Sequence, residues 1–76
     1  MDTIEFQIEQ REKELLEALG VDKITSSYDK ADELVTSIVN YRAELSHEEL
    51  EYLVSFGETL IKRSGDGVRI TIKYYL

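Results

Sequence analysis

Acidic side chains are the residues of this sequence whose spacing could do chemistry. Four of them recur at intervals of three, four and three residues near the N-terminus: Asp2, Glu5, Glu9 and Glu12. On a helix these intervals would place the carboxylates on one face, about 5–6 Å apart. Arg and Lys side chains bond such a row much as they bond the phosphates of a nucleic acid. The spacing therefore predicts a surface that binds a basic partner.

Six further acids form two groups in the middle of the chain: Asp29, Asp32 and Glu33, then Glu48, Glu49 and Glu51. Both groups fall where we predict the first turns of helices. The helix dipole favours anions there, so a structural role explains these acids as well as a binding role does. Our candidates for the partner-binding row are Glu5, Glu9, Glu12, Asp29, Asp32, Glu33, Glu48 and Glu51.

Motifs for catalysis or for ligand binding are weak by comparison. His47 is the only histidine, and its place directly after Ser46 is typical of an exposed residue in the first turn of a helix. The Gly65–Gly67 segment is better explained as a turn than as a phosphate loop, because Asp66 would repel phosphate. With no cysteine and one histidine, a zinc cluster is nearly excluded. The sequence predicts a protein that is not an enzyme and that holds no metal or cofactor.

The charge of the chain is large and unevenly distributed. There are 16 acidic and 9 basic residues, which gives a net charge of −7 at neutral pH. Residues 1–61 contain 15 acids and 5 bases, net −10, whereas residues 62–76 contain 1 acid and 4 bases, net +3. A body with this potential repels nucleic acid and anionic lipid and attracts basic surfaces. We expect a basic protein partner, no direct binding of nucleic acid and no membrane contact.

The length of the chain limits how stable one copy can be. Its 76 residues make a single domain, 1–76, and one hydrophobic core of that size supplies only about 3–5 kcal/mol. Disulfides are excluded because the chain has no cysteine, so we expect a homodimer. No apolar run approaches the ~20 residues of a membrane span, and the N-terminus is acidic, which predicts a soluble cytoplasmic protein.

Residues 3–19 fit two patterns. One is a helix from about Thr3 to Leu19 that stops at Gly20 and aligns an apolar stripe of Ile4, Ile8, Leu15 and Leu19. The other is a strand over residues 3–9, in which Ile4, Phe6 and Ile8 alternate with polar residues. Good helix formers at 11–18 favour the helix slightly, whereas the strand would give the end of the chain a pairing partner.

Two further helices are predicted. After a connector over residues 21–27, a second helix from about Tyr28 to Ala43 has an apolar face of Ala31, Leu34, Val35, Ile38 and Val39. Ser46 and Glu49 form a capping box, which opens a third helix that contains Gly57. The apolar positions of this third helix are Leu50, Leu53, Val54, Leu60 and Ile61. Residues 64–67 then turn the chain into its last segment.

Residues 68–76 have the alternation of a β-strand with one buried face. The apolar members of this pattern are Val68, Ile70, Ile72 and Tyr74. A single strand needs a partner for its row of N–H and C=O groups, so these four side chains are our predicted dimer interface. The predicted fold is α+β, with three helices and a C-terminal strand that pairs in a homodimer or with an N-terminal strand.

In type, the chain resembles the small acidic bacteriophage proteins that imitate DNA and disable host nucleic-acid-binding proteins, including inhibitors of the nucleoid protein HU. The resemblance rests on the short cysteine-free chain, its net charge of −7 and its clustered acids. It implies a homodimer in the host cytoplasm whose carboxylates occupy the DNA-binding surface of a basic host protein and exclude DNA. The alternative is a small dimeric adaptor or regulatory module that binds a protein through an apolar helix face or a strand edge.

Overall fold

The structure is a computed structural model that describes residues 3–42 and 44–76. Asp2 and Ala43, which belong to the predicted acidic row and to the predicted second helix, lie outside the described residues. The elements in chain order are α1 (Thr3–Leu19), β1 (Thr25–Asp29), β2 (Leu34–Tyr41), α2 (His47–Phe56), β3 (Glu58–Ser64) and β4 (Gly67–Tyr75).

The four strands form one antiparallel sheet in the order β1-β2-β4-β3. Both helices pack on one face of this sheet, α1 against β2 and α2 against β3 and β4. Side chains that point from β2 and β4 toward the helices make the core together with three helix leucines: Leu15, Leu19, Val35, Val39, Tyr41, Leu53, Ile70, Ile72 and Tyr74. The other face of the sheet carries polar residues and a few apolar ones, as is common for antiparallel sheets with one solvated face.

The predicted first helix is confirmed. It covers Thr3–Leu19 and buries Leu15 and Leu19, and residues 3–9 are therefore helical rather than extended. Gly20 follows with a φ of 68°, and its N–H bonds the carbonyl of Leu16 at 2.9 Å. A left-handed residue directly after the helix is the usual place for glycine, because glycine has no Cβ to clash there.

The predicted second helix is wrong, because residues 25–41 form a β-hairpin instead. The buried residues of β2 alternate as Val35, Ser37, Val39 and Tyr41, which is the period of a strand. Ser37 interrupts the apolar alternation in the sequence, because serine is a polar residue at one of the buried positions. Its buried hydroxyl lies 2.8 Å from that of Ser26 on the neighbouring strand, so the polar group is paired.

The predicted third helix is correct at its start and wrong at its end. The capping box of Ser46 and Glu49 opens α2, but α2 ends at Phe56 and Gly57 is its C-cap. Leu60 and Ile61 belong to β3. Gly57 is extended, and a Cβ at this position would overlap the carbonyl oxygen of Lys73 in β4. The glycine therefore marks the passage from α2 to β3, where two stretches of backbone come close together.

The pairing predicted for the last strand is also wrong. The strand itself is confirmed as β4, but it pairs within the chain on both sides, with β2 and with β3. Ile70 and Ile72 are fully buried and Tyr74 is 5% exposed, while Val68 is half-buried against the same core. All four residues of the predicted dimer interface therefore pack in or against the core of their own chain.

Candidate acidic interface

The acids of α1 lie on two sides of the helix, because its buried stripe divides its exposed surface. Glu14 and Arg11 line a groove between α1 and α2 together with Tyr52 and Phe56 of α2. With 3.6 residues per turn, Glu5, Glu9 and Glu12 fall on the opposite side of α1, the side turned away from α2. Glu5 and Glu9 are exposed and Glu12 is half-buried, so the three described members of the predicted row share one side of α1.

The acids of the second predicted group lie on a turn and not on a helix. Asp29 ends β1, and Asp32 and Glu33 lie in the turn that leads to β2. Asp29 accepts a hydrogen bond from the Ala31 N–H at 3.0 Å, and Glu33 has a positive φ of 54°. Because β1 is the edge strand on the half of the sheet covered by α1, this turn lies on the same side of the molecule as the α1 row.

We call these six residues the acidic side: Glu5, Glu9, Glu12, Asp29, Asp32 and Glu33. None of the six forms an ion pair with another described residue. Within residues 3–42 and 44–76, Arg11 forms an ion pair with Glu14, and the His47 imidazole lies 2.9 Å from the Glu51 carboxylate. Lys13 and Lys30 belong to the same two segments, and neither forms an ion pair with another described residue. The negative charge of this side is thus left for solvent or for a partner.

Glu48 and Glu51 lie elsewhere. They belong to the first turns of α2, which follows the Tyr41 end of β2, whereas the acidic turn precedes its Leu34 end. The two ends of this eight-residue strand are about 23 Å apart at the usual rise per residue. Glu51 also lies 2.9 Å from the exposed His47. The structure therefore separates these two candidates from the acidic side.

Glu49 has two structural roles, of which the sequence predicts only one. It completes the capping box with Ser46, and it also accepts a hydrogen bond from the Tyr41 hydroxyl. Arg42 in turn donates to the Tyr41 oxygen at 3.0 Å. The backbone N–H of Ser46, followed by the Tyr41 hydroxyl, lowers the pKa of Glu49, and the bond to Tyr41 raises the pKa of Arg42. The capping box was visible in the sequence, whereas its connection to Tyr41 depends on where β2 ends.

Replacing Glu49 with glutamine is expected to make stability less sensitive to acid. A carboxyl whose pKa is lower in the folded state stabilises above its unfolded pKa of about 4.3 and loses that contribution as the pH falls through the folded pKa. Glutamine keeps the capping box but cannot titrate. Urea unfolding between pH 7 and pH 3 should show a smaller decrease for Glu49→Gln than for the unaltered protein. Glu48→Gln is the matched control, and an equal flattening by both variants would contradict the assignment.

The groove between α1 and α2 is lined by aromatic rings and charges. The Arg11 guanidinium lies 5.7 Å from the centroid of the Phe56 ring and 3.2 Å from Glu14. Phe56 also contacts the Tyr74 ring edge-on at 5.1 Å. Burial raises the pKa of Tyr74 and of Tyr52, and the Tyr74 hydroxyl has no hydrogen-bond partner among the described residues. Arg11 thus connects Glu14 of its own helix with Phe56 of α2, which helps to hold α1 and α2 together.

No group of three His, Cys, Asp or Glu side chains within residues 3–42 and 44–76 is arranged to hold a metal ion. Likewise, neither of the two described helices is long and apolar enough to cross a membrane.

Fold and surface together define a small α+β protein in which two helices cover one face of a four-stranded antiparallel sheet and carboxylates gather on one side. Comparison of the chain with protein-family models, with curated proteins and with solved structures finds no match.

Proposed function

We propose that this protein is a non-enzymatic acidic decoy that occupies the DNA-binding surface of a basic protein and excludes DNA. The observation that carries the proposal is the acidic side, where six carboxylates from α1 and the β1–β2 turn lack ion-pair partners among the described residues. The proposed partner is a basic nucleic-acid-binding protein, and the nucleoid protein HU is our test partner. Lysines and arginines of such a protein would bond these carboxylates in place of phosphates.

The distribution of the basic residues supports binding of the partner through the acidic side. Four of the nine bases lie on the β3–β4 hairpin, at the opposite end of the strand order from β1: Lys62, Arg63, Arg69 and Lys73. The molecule therefore has an acidic half and a half that is less acidic. A basic surface approaching from solution is drawn to the acidic half first, with a rate that falls as salt screens the field.

Neutralising the α1 row is expected to weaken the decoy. In Glu5→Gln, Glu9→Gln, Glu12→Gln, three carboxylates become amides of nearly the same shape, and a surface ion pair contributes about 0.2–1 kcal/mol. The triple variant should need roughly tenfold more protein to displace DNA, which corresponds to about 1.4 kcal/mol. The measurement is the fluorescence anisotropy of a labelled DNA duplex bound to purified HU, titrated with the protein at low salt.

A matched control separates position from net charge. Glu17→Gln, Glu44→Gln, Asp66→Asn removes the same number of charges from exposed residues outside the acidic side, and it should leave displacement nearly unchanged. If both triple variants weakened displacement equally, the effect would depend on the overall charge of the protein and not on the position of the carboxylates. Unchanged displacement by the α1 variant, or no displacement by the unaltered protein, would contradict the proposal for this partner.

A second candidate function is favoured by one specific observation. Leu60 in β3 and Val54 in α2 are 55% and 69% exposed, as expected of a small adaptor that binds a protein through a strand edge or an apolar helix face. Ionic strength separates the two functions. Binding through the acidic side should weaken steeply between low and high salt, whereas binding through an apolar edge should change little.

A further inference from the structure

The two edges of the sheet differ in a way that matters for association. At one edge, β1 is five residues long and polar, with the sequence TSSYD. At the other, β3 is seven residues long with Leu60 and Ile61 at its centre, and it pairs with β4 on its inner side. Its outer side has no pairing strand among residues 3–42 and 44–76. An exposed edge of this length is a template for another strand.

Exposed apolar side chains lie on both sides of the β3 edge. Eight large apolar residues of the described chain are exposed, and four of them belong to β3 and the adjoining helix: Leu50, Val54, Leu60 and Ile61. Tyr52 and Phe56 of α2 face the groove toward α1. By helical periodicity, Leu50 and Val54 lie on the opposite side of α2, the side turned toward the β3 edge. Ile61 lies opposite the buried Ile70 and shares this helix-covered face, whereas Leu60 lies opposite Thr71 on the other face, so apolar side chains flank the β3 edge on both faces of the sheet.

We propose that the β3 edge binds a second copy of the chain, with the two β3 strands antiparallel and centred on Leu60. A two-fold axis perpendicular to the sheet keeps residues of the same face opposite each other. In this register, Leu60 faces its own copy, Glu58 faces Lys62 of the partner subunit, and Lys62 faces the partner's Glu58. Both copies keep their helices on the same face of a continuous eight-stranded sheet, so the two α2 helices flank the seam.

Charge complementarity selects this occupant and this register. Within one chain, Lys62 lies directly opposite Arg69 of β4, and like charges in that arrangement are destabilising. The partner's Glu58 would place a carboxylate on the other side of Lys62. Shifting the centre to Ile61 would pair Leu60 with lysine and Glu58 with serine, which loses both the apolar and the ionic match. The inference does not depend on the proposed decoy function, because none of its residues belongs to the acidic side.

A cysteine scan tests the register. In Leu60→Cys the two sulfurs would face each other, with Cα atoms about 4.5–5.5 Å apart, within the range that a disulfide spans. In Ile61→Cys the equivalent atoms are offset by two residues along the strands, beyond that range. Because the chain has no other cysteine, mild oxidation should convert Leu60→Cys to a covalent dimer rapidly and Ile61→Cys slowly. Equal rates would overturn the register.

A charge exchange tests the interface in the unmodified fold. Lys62→Glu should raise the dimer dissociation constant at least tenfold in sedimentation velocity, because each of the two Glu58–Lys62 pairs across the seam would become a pair of facing glutamates. Glu58→Lys should do the same, and the double variant should restore the dimer. Circular dichroism checks that each variant stays folded. A monomeric unaltered protein at 0.5 mM, or a dimer that neither single variant weakens, would overturn the proposal.

Discussion

Replacing Ile72 with lysine is expected to unfold the protein. Ile72 is fully buried in β4, the strand that pairs with both β2 and β3. An unpaired ammonium in such a core carries an effective penalty of several kcal/mol, and a domain of this size has only about 3–5 kcal/mol from its core. Circular dichroism and amide NMR spectra of Ile72→Lys should show an unfolded chain at 25 °C.

The adjacent residue supplies the control. Thr71 is half-buried on the opposite face of β4, which no helix covers. Thr71→Lys adds the same side chain one residue away and should leave a folded protein whose melting temperature changes by only a few degrees. A folded Ile72→Lys variant, or an unfolded Thr71→Lys variant, would contradict the assignment of the two faces.

The parts of this fold that the sequence predicts are those with a local cause. The first helix has its apolar stripe and a glycine stop, and the start of α2 has the reciprocal bonds of Ser46 and Glu49. The last strand alternates strictly from Val68 to Tyr74. Each of these signals lies within one element, so each could be recognised before the neighbours of that element were known.

The sequence predicts the wrong element where a tertiary contact decides between two local patterns. Leu34, Val35, Ile38 and Val39 have the spacing of a helix face, but the β-branched residues among them also suit a strand. Pairing with β1 and β4 decides for the strand, and the hydrogen bond between the Ser37 and Ser26 hydroxyls that supports it crosses between strands. When residues 25–41 are interpreted as a helix, the last strand has no partner strand after residue 20, and the sequence then predicts pairing between chains.

The sequence predicts each acidic group separately, but it does not predict which groups lie on the same side of the molecule. The row of Glu5, Glu9 and Glu12 follows from helix spacing alone. Its position on the same side as the turn that carries Asp32 and Glu33 depends on β1 being the edge strand next to β2, against which α1 packs. The same topology places Glu48 and Glu51 at the other end of β2. Sequence spacing groups residues within an element, and only the order of the strands decides which groups share a side.

Replacing Gly57 with alanine is expected to cause the second large loss of stability. The added Cβ would overlap the Lys73 carbonyl oxygen, which is backbone of the central strand and cannot rotate away. The Gly57 N–H also donates a hydrogen bond to the Leu53 carbonyl oxygen at 3.1 Å, and the Thr59 hydroxyl donates to the same oxygen at 3.0 Å. Overpacking of this kind removes about 1–3 kcal/mol, which lowers the melting temperature of a 60–100-residue domain by roughly 4–8 °C per kcal/mol.

Gly20→Ala separates this steric cause from a general effect of losing glycine. A Cβ at Gly20 would meet open space, but the residue has a φ of 68°, so alanine there should lower stability by about 1 kcal/mol through backbone strain alone. Gly57 is extended, a conformation open to any residue, and its loss arises entirely from the approach of β4. In thermal unfolding, Gly57→Ala should therefore have a lower melting temperature than Gly20→Ala. A lower melting temperature for Gly20→Ala would contradict the close approach of Gly57 to the Lys73 carbonyl of β4.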